Sequence, residues 1–423
     1  MAANHIARVN GRRIWDSRGR PTVEVDIVVE GGASGRAIAP AGASTGSGEA
    51  VDLRDGGAAF GGLDVRRAVA NVDEIIAPAL AGLDVSDQAG IDRLLIELDG
   101  TANKASLGGN ALIATSLAVL HAAAAAQALP LWRHLAGGAE VTIPLPEIQV
   151  FGGGAHAARR VDVQDFMVTC PRSGSFAQAL DRTAEVYRAA GQLLSERGLI
   201  MGVADEGGYW PAFASNGEAL DMLVRAIERA GFTPGDEVAI SLDIAASEFG
   251  EDGRYRLALD DRELDSDGLC AMLGRWIERY PIVAIEDPLA EDDLEGFRRF
   301  TAAYGEKLQV VGDDFLVTSA ERVCKAAAGG ACNAVLIKPN QAGTVTETKA
   351  ALDAGKAAGF GTIVSARSGE SEDVTIAHLA VGWNAGQLKV GSFARSERMA
   401  KWNEVLRIEE ALGPGARFAR PFG

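Results

Sequence analysis

Five charged residues fall at or just after the ends of apolar stretches in the second half of the chain. Asp243 closes AISLD, Glu286 closes IVAIE, Asp313 follows QVVG, Lys338 follows AVLI and Lys389 sits in GQLKV. Acids and amines at the C-terminal ends of successive strands are how a β/α barrel assembles a metal-assisted active site. Three hard oxygen ligands from separate strands suit Mg²⁺, which keeps waters and often shares the anionic oxygens of a substrate. A single strand-end aspartate is as often a cap for the next helix. Three in successive units weigh toward a metal. A lysine facing cations can lose its proton and act as a general base, while a second can stay charged and hold a carboxylate.

Four further residues belong to the same chemistry. Glu206 lies in DEGG, either a simple turn or a mobile general acid, and His156 lies in GGGAHA, which reads as a flexible loop. Arg367 and Ser368 stand beside glycine in ARSGES, a fair phosphate cradle, with Ala366 just before them.

The elements that must position these groups repeat. From about residue 141 apolar strands alternate with amphipathic helices: strands at 238–243, 282–286, 308–313 and 333–338, helices at 266–279, 293–304, 318–328 and 343–358. Asp313, Lys338, Ser365 and Lys389 follow Glu286 at intervals of about 25 residues, one βα unit apiece. No GxGxxG follows the first strand of either half, so a barrel is favoured over a dinucleotide fold. The first half differs. Strand patterns at 5–9 and 22–30 flank the turn DSRGRP, the Gly/Ser-rich PAGASTGSGEA at 40–50 reads as a mobile lid, and helical patterns follow at 63–81, 86–98 and 109–128. The fold expected is α/β: an N-terminal α+β capping domain, residues 1–138, then a C-terminal modified (β/α)8 barrel, residues 139–423.

Composition sets the outer limits. The 423 residues are 47% hydrophobic and 23% charged, enough to bury a large core. A net charge of −17 disfavours nucleic acid and anionic membranes as partners. Cys170, Cys270, Cys324 and Cys332 lack disulfide or zinc spacing, which fits reduced thiols in the cytoplasm. No apolar segment opens the chain as a signal peptide would, and the alanine-rich stretch 107–129 reads as a buried helix.

Long motifs in order along nearly the whole chain resemble the enolase family: DSRGRPTVEV, GASTG, LDGTANK, VADEGGYWP, SLDIAASEF, YPIVAIEDP, VGDDFLVT, KPNQAGT, ARSGESED and ARSERMAKWNEVLRIEEALG. The resemblance implies a capping domain on a barrel, a homodimer or larger ring, and Mg²⁺, one ion tightly bound and a second arriving with substrate. Sites of the enolase superfamily use a lysine or histidine base with one or two Mg²⁺. By position, Asp243, Glu286 and Asp313 match the metal ligands and Ser44 the lid serine that reaches the second metal. Lys338 matches the base at C2 of 2-phosphoglycerate, and Glu206 the acid at the departing C3 hydroxide. Lys389 matches the carboxylate contact, Arg367 and Ser368 the phosphate contacts, and His156 the closing loop histidine.

The chain departs from the family around this site. Enolases read SHRSGE where Ala366 stands, QEF where Asp165 stands, PSGASTG where Ala41 stands, a histidine at Gly48, and NGG at Gly152-Gly153-Gly154. Aspartate for glutamate withdraws a carboxylate by about 1.5 Å, and a misplacement of about 1 Å can cost on the order of 100-fold in rate. Metal binding and proton abstraction are kept while the leaving-group side is trimmed. That pattern favours a specialised homologue, such as a carboxyphosphonoenolpyruvate synthase of phosphonate natural-product biosynthesis. Its partners would be a phosphorylated or phosphonylated three-carbon acid and a nucleotide-activated second substrate. Ordinary phosphopyruvate hydratase and a non-catalytic enolase-like binding protein are the alternatives.

Overall fold

The computed structural model describes residues 3–422. Its N-terminal part is an antiparallel meander of β1 (Ile6–Trp15), β2 (Pro21–Val29) and β3 (Ser34–Ile38). β1 runs well past the five residues expected, because Arg8–Trp15 pair in unbroken register with Pro21–Val28. The turn that follows is set by Asp16, whose Oδ1 accepts from the backbone N–H of Arg18 at 2.8 Å and Arg20 at 2.9 Å. The helix expected over 63–81 is interrupted, with a π turn at Val72–Ile76 between short α segments.

Helix α1 (Gly109–Ala126) lies across this sheet. It is long and apolar enough to cross a membrane, yet 83% of that window is buried within the fold. Its small residues permit a close approach, since dispersion gains need interlocking surfaces without gaps. Gly35 on β3 is where the approach is tightest. A β-carbon there would lie 2.2 Å from both the Ala118 carbonyl oxygen and the Ala122 amide nitrogen.

The barrel closes from eight strands: β4 (Leu145–Gly152), β5 (Asp165–Thr169), β6 (Ala239–Asp243), β7 (Ile282–Glu286), β8 (Gln309–Gly312), β9 (Ala334–Ile337), β10 (Gly361–Ser365) and β11 (Gly386–Ser392). β11 pairs back onto β4. The simple βα repeat fails at its start, because β5 runs antiparallel to both β4 and β6. Two helices, α2 (Phe176–Glu196) and α3 (Asn216–Arg229), then come before β6. From β6 onward neighbours are parallel. Along β9 the side chains part, Val335 and Ile337 joining the main core, Ala334 and Leu336 a small second cluster with Val311 and Ile363. That alternation is what a strand buried on both faces requires.

Helices α4 (Ser266–Arg279), α5 (Leu294–Tyr304), α6 (Ala320–Gly329) and α7 (Val345–Ala357) fall close to their expected spans. Their N-caps are Asp265, Asp293, Ser319 and Thr344. The acids that end β6 and β7, and the one that follows β8, are therefore not helix caps.

Replacing Gly35 by alanine is expected to lower unfolding stability by about 1–3 kcal/mol through overpacking. An unchanged urea midpoint would show that α1 can move off the sheet freely.

Candidate active site

Strand register builds the site. Asp165 pairs with Asp243, and Asp243 with Glu286, so three acids form one row across β5, β6 and β7. On the opposite side Ser365 pairs with Lys389, and Lys338 follows the last pair of β9 and β10. All six side chains are buried. Lys389 Nζ lies 2.8 Å from Glu286 Oε2, 2.9 Å from Asp243 Oδ2 and 3.5 Å from Asp165 Oδ2. Burial works against its charge, but these acids outweigh it and hold the ammonium well above the ordinary lysine range. Lys338 Nζ pairs with Asp313 Oδ2. Burial again opposes the charge and Asp313 overcomes it, so Lys338 is also held protonated.

Even with both lysines the mouth carries excess negative charge. Burial, then the neighbouring Asp243, pushes Glu286 well above the usual carboxylate range, and its Oε1 is buried without a hydrogen-bond partner. Asp314, which the sequence reading passed over, is raised to about 8 by burial and by Asp313, with Oδ1 unpartnered. Its ligand oxygens and those of Asp287 and Asp313 lie within 4.8 Å of one another. Orphaned, mutually repelling carboxyl oxygens on this scale fit a hard divalent cation. Of the ligands expected from the resemblance, Asp313 belongs to this close group, while Asp243 and Glu286 meet on Lys389.

His156 departs from expectation. It lies in a 3₁₀ turn (Gly154–Ala157) and is buried. Its Nδ1 is 3.2 Å from Asp165 Oδ1 and its Nε2 3.8 Å from Glu206 Oε1. Two carboxylates draw the ring inward. Burial disfavours the imidazolium, but Glu206 and Asp165 prevail and raise it to about 9. Burial alone would raise Asp165. The charge and hydrogen bond of His156, with Lys389 and Gln149, hold it far below the usual range. Glu206 is buried as well, in a turn closed by Gly207 at φ +97°.

The lid meets the expected phosphate cradle on one arginine. Arg367 is 3% exposed and donates to the Ser44 carbonyl at 2.8 Å, to Glu49 Oε2 at 3.0 Å and to Asn340 Oδ1 at 3.1 Å. A β-carbon at Gly42 would lie 1.9 Å from Arg367 Nη2, so this lid glycine admits no side chain. Ser368 Oγ accepts from Arg18 Nη1 at 3.2 Å, which ties the cradle to the turn after β1. Ser44, Glu206, Lys338, Arg367, Ser368 and Lys389 share one cavity with His156, Asp165, Asp243 and Ala366. It encloses about 20 Å³, room for about one water. Entry of any substrate therefore needs the lid to move.

Three of the small-residue departures differ in kind. Ala366 lines the cavity. Ala41 instead bridges to Gly369 through paired backbone hydrogen bonds. At Gly48, φ is +100° and Arg322 Nη2 stands 2.5 Å from where a β-carbon would be. Glu49, Gln341 and Asp314 are members of the site that sequence reasoning missed. The GSGEA, PNQAG and GDD motifs held the signal.

A mostly parallel barrel with one antiparallel strand, a capping meander, mouth acids and paired lysines defines a metal-assisted acid–base enzyme. Residues 6–135 match the family model for the enolase N-terminal domain, and residues 140–421 that for the enolase C-terminal TIM barrel domain. The chain is 49% identical over 421 residues to a protein named Enolase 1 from Desulfitobacterium hafniense (strain Y51), covering 99% of this chain and 96% of the relative. It is 49% identical over 412 residues to an Enolase from Rubrobacter xylanophilus, covering 97% and 96%. The chain belongs to the enolase family, a family of Mg²⁺-dependent lyases.

A histidine raised from 6.5 to about 9 stabilises the fold fully below pH 6.5 and ceases to do so as pH rises through about 9. Urea midpoints of the metal-free protein and its His156→Gln variant should therefore differ most below pH ~6.5, draw together above it and converge above pH ~9. A constant difference would show that His156 does not titrate in this window.

Proposed function

We propose that this protein removes the C2 proton of 2-phosphoglycerate and expels the C3 hydroxide, giving phosphoenolpyruvate and water. The full-length 49% identity to proteins named enolase carries this reading. It replaces the preference drawn from sequence for a carboxyphosphonoenolpyruvate synthase, which the comparisons do not support.

The residues divide the work as follows. Lys389 would hold the substrate carboxylate, and Arg367 and Ser368 the phosphate. Lys338 Nζ would accept the C2 proton while the electron pair of that C–H bond moves toward the carboxylate. Glu206 would then protonate the C3 hydroxide as the C3–O bond breaks. The His156 imidazolium, between Glu206 and Asp165, fixes the acid side and balances its charge. A base must be neutral, yet Asp313 keeps Lys338 protonated in the isolated chain. Mg²⁺ on Asp243, Glu286 and Asp313, with a second ion near Ser44, would offset that carboxylate charge and stabilise the charge developing on the substrate. By the same family likeness we infer a cytoplasmic homo-oligomer; four cysteines without disulfides agree with a reducing compartment.

Ala366 favours one second reading, transfer of a group from an activated donor onto the enol oxygen. Ala41 and Gly48 give it no support, because a backbone bridge and Arg322 take those positions.

Purified protein with Mg²⁺ should convert 2-phosphoglycerate to phosphoenolpyruvate in a coupled assay. Exchange of the C2 proton with solvent in the absence of dehydration would instead favour the donor reading. Lys338→Ala should cut C2 exchange by about 10²–10⁴-fold while the circular dichroism spectrum stays the same. Undiminished exchange would assign the base elsewhere. The double variant Ala366→His, Asp165→Glu should raise dehydration, by up to about 100-fold where carboxylate placement limits the rate. Unaltered turnover would show that these positions do not limit it.

A further inference from the structure

The Glu49 carboxylate joins three parts of the site that no stretch of sequence connects. Both its oxygens face Arg367, Oε2 at 3.0 Å from Nη1 and Oε1 at 3.3 Å from Nη2. Oε1 also accepts from the lid amide of Gly46 at 3.0 Å and from Gln341 Nε2 at 3.3 Å. Gln341 Nε2 in turn donates to Asp313 Oδ1 at 3.0 Å, and its carbonyl accepts from Ala50 N at 2.8 Å. The Glu49 side chain is 8% exposed and that of Arg367 3%.

We propose that Glu49 is a positioning residue that locks the Arg367 guanidinium to the lid, so that lid closure and phosphate capture occur as one event. This rests on the phosphate role given to Arg367 above. A fork-to-fork carboxylate–guanidinium pair fixes both the plane and the reach of the arginine, which a point contact does not. Two other contacts prepare the lid for this coupling. Ser47 N donates to Glu291 Oε2 at 2.8 Å, and Arg322 Nη2 donates to the Ser47 carbonyl at 2.8 Å. These pin the outer end of the lid, while Glu49 and the Ser44 carbonyl bind its inner end to Arg367. A neutral glutamine at 49 would keep the volume but turn an N–H toward the guanidinium donors. The arginine would then swing toward the remaining acids, Asp313 and Asp314, and away from the lid.

The test uses the full-length protein with Mg²⁺ and two variants, Glu49→Gln and Glu49→Asp. Inorganic phosphate is the binding probe, titrated by calorimetry. Glu49→Gln should weaken phosphate binding about tenfold and raise KM for 2-phosphoglycerate by a similar factor, with kcat within about threefold of wild type. Glu49→Asp, charged but shorter, should fall between. Where Glu49→Gln does not fold, the aspartate variant decides alone. Phosphate binding unchanged or tightened in the folded variants would overturn the proposal, as would a loss in kcat with KM intact. Wild-type protein that binds phosphate but leaves 2-phosphoglycerate unchanged would refute the proposed reaction, and the phosphate titrations would still judge Glu49.

Discussion

The structure turns on one buried ammonium. Lys389 holds Asp165, Asp243 and Glu286 at the barrel mouth, and without a cation these acids would repel one another in a low-dielectric setting. The register of four strands places them there, so the ion pair and the barrel closure depend on each other. A slip by one residue on any of these strands would turn its charge toward the helices. Side-chain amides add to this hold: Gln164 donates to the same Asp243 Oδ2 that Lys389 binds, Gln149 to Asp165 Oδ1, and Gln387 to the deeper Glu147. Glu286 Oε1 and Asp165 Oδ2 are still left over. One lysine cannot balance three acids, and that surplus is what gives the mouth its demand for divalent metal.

The capping domain does more than cover this charge. Its first turn reaches the cradle through Arg18, whose guanidinium contacts Asp16, Ser368 and the Ala41 carbonyl together. Ser17 N donates to the Glu370 carbonyl at 2.7 Å, and Ala41 and Gly369 exchange backbone hydrogen bonds. The loop that carries Arg367 and Ser368 is therefore shaped from both domains. Lys401 and Arg398 support it from behind, buried on the last long helix and donating to the carbonyls of Ser371, Ser368 and Arg367. A loop held on both sides can present Arg367 in a fixed position.

Much of this was legible in the sequence because charge at a strand end is conspicuous against an apolar run. The spacing of Glu286, Asp313, Lys338 and Lys389 gave the βα period, and the helices between them fell close to their expected ends. The antiparallel entry of β5 was not legible, since a short apolar strand carries no sign of its direction. His156 was misjudged for a related reason. Glycines on one side suggested a loose loop, while the carboxylates that draw the ring inward, Asp165 and Glu206, lie outside that loop and only the fold aims them at it. Glu49 was hidden differently. Among the small residues of the lid it reads as a solvated charge, and only the fold brings Arg367 to it from more than three hundred residues away.

The trimmed residues finally separate into two kinds. Gly48 and Ala41 looked like enlargements of the site when only side-chain volume was considered. In the fold, Arg322 fills the space beside Gly48 and fastens the lid, while Ala41 is held by its backbone, where its side chain matters little. Asp165 gives up reach but stays held, with Gln149 and His156 on Oδ1 and Lys389 3.5 Å from an Oδ2 that lacks a hydrogen bond. That leaves Ala366, buried beside Lys389 and bordering the cavity, as the departure that alters what substrate would touch. Under the roles proposed for Lys338, Glu206 and Arg367, a single missing side chain changes the handling of the leaving group more readily than it creates a binding site for a second, nucleotide-sized substrate. The physical balance thus lies with elimination in a modified pocket.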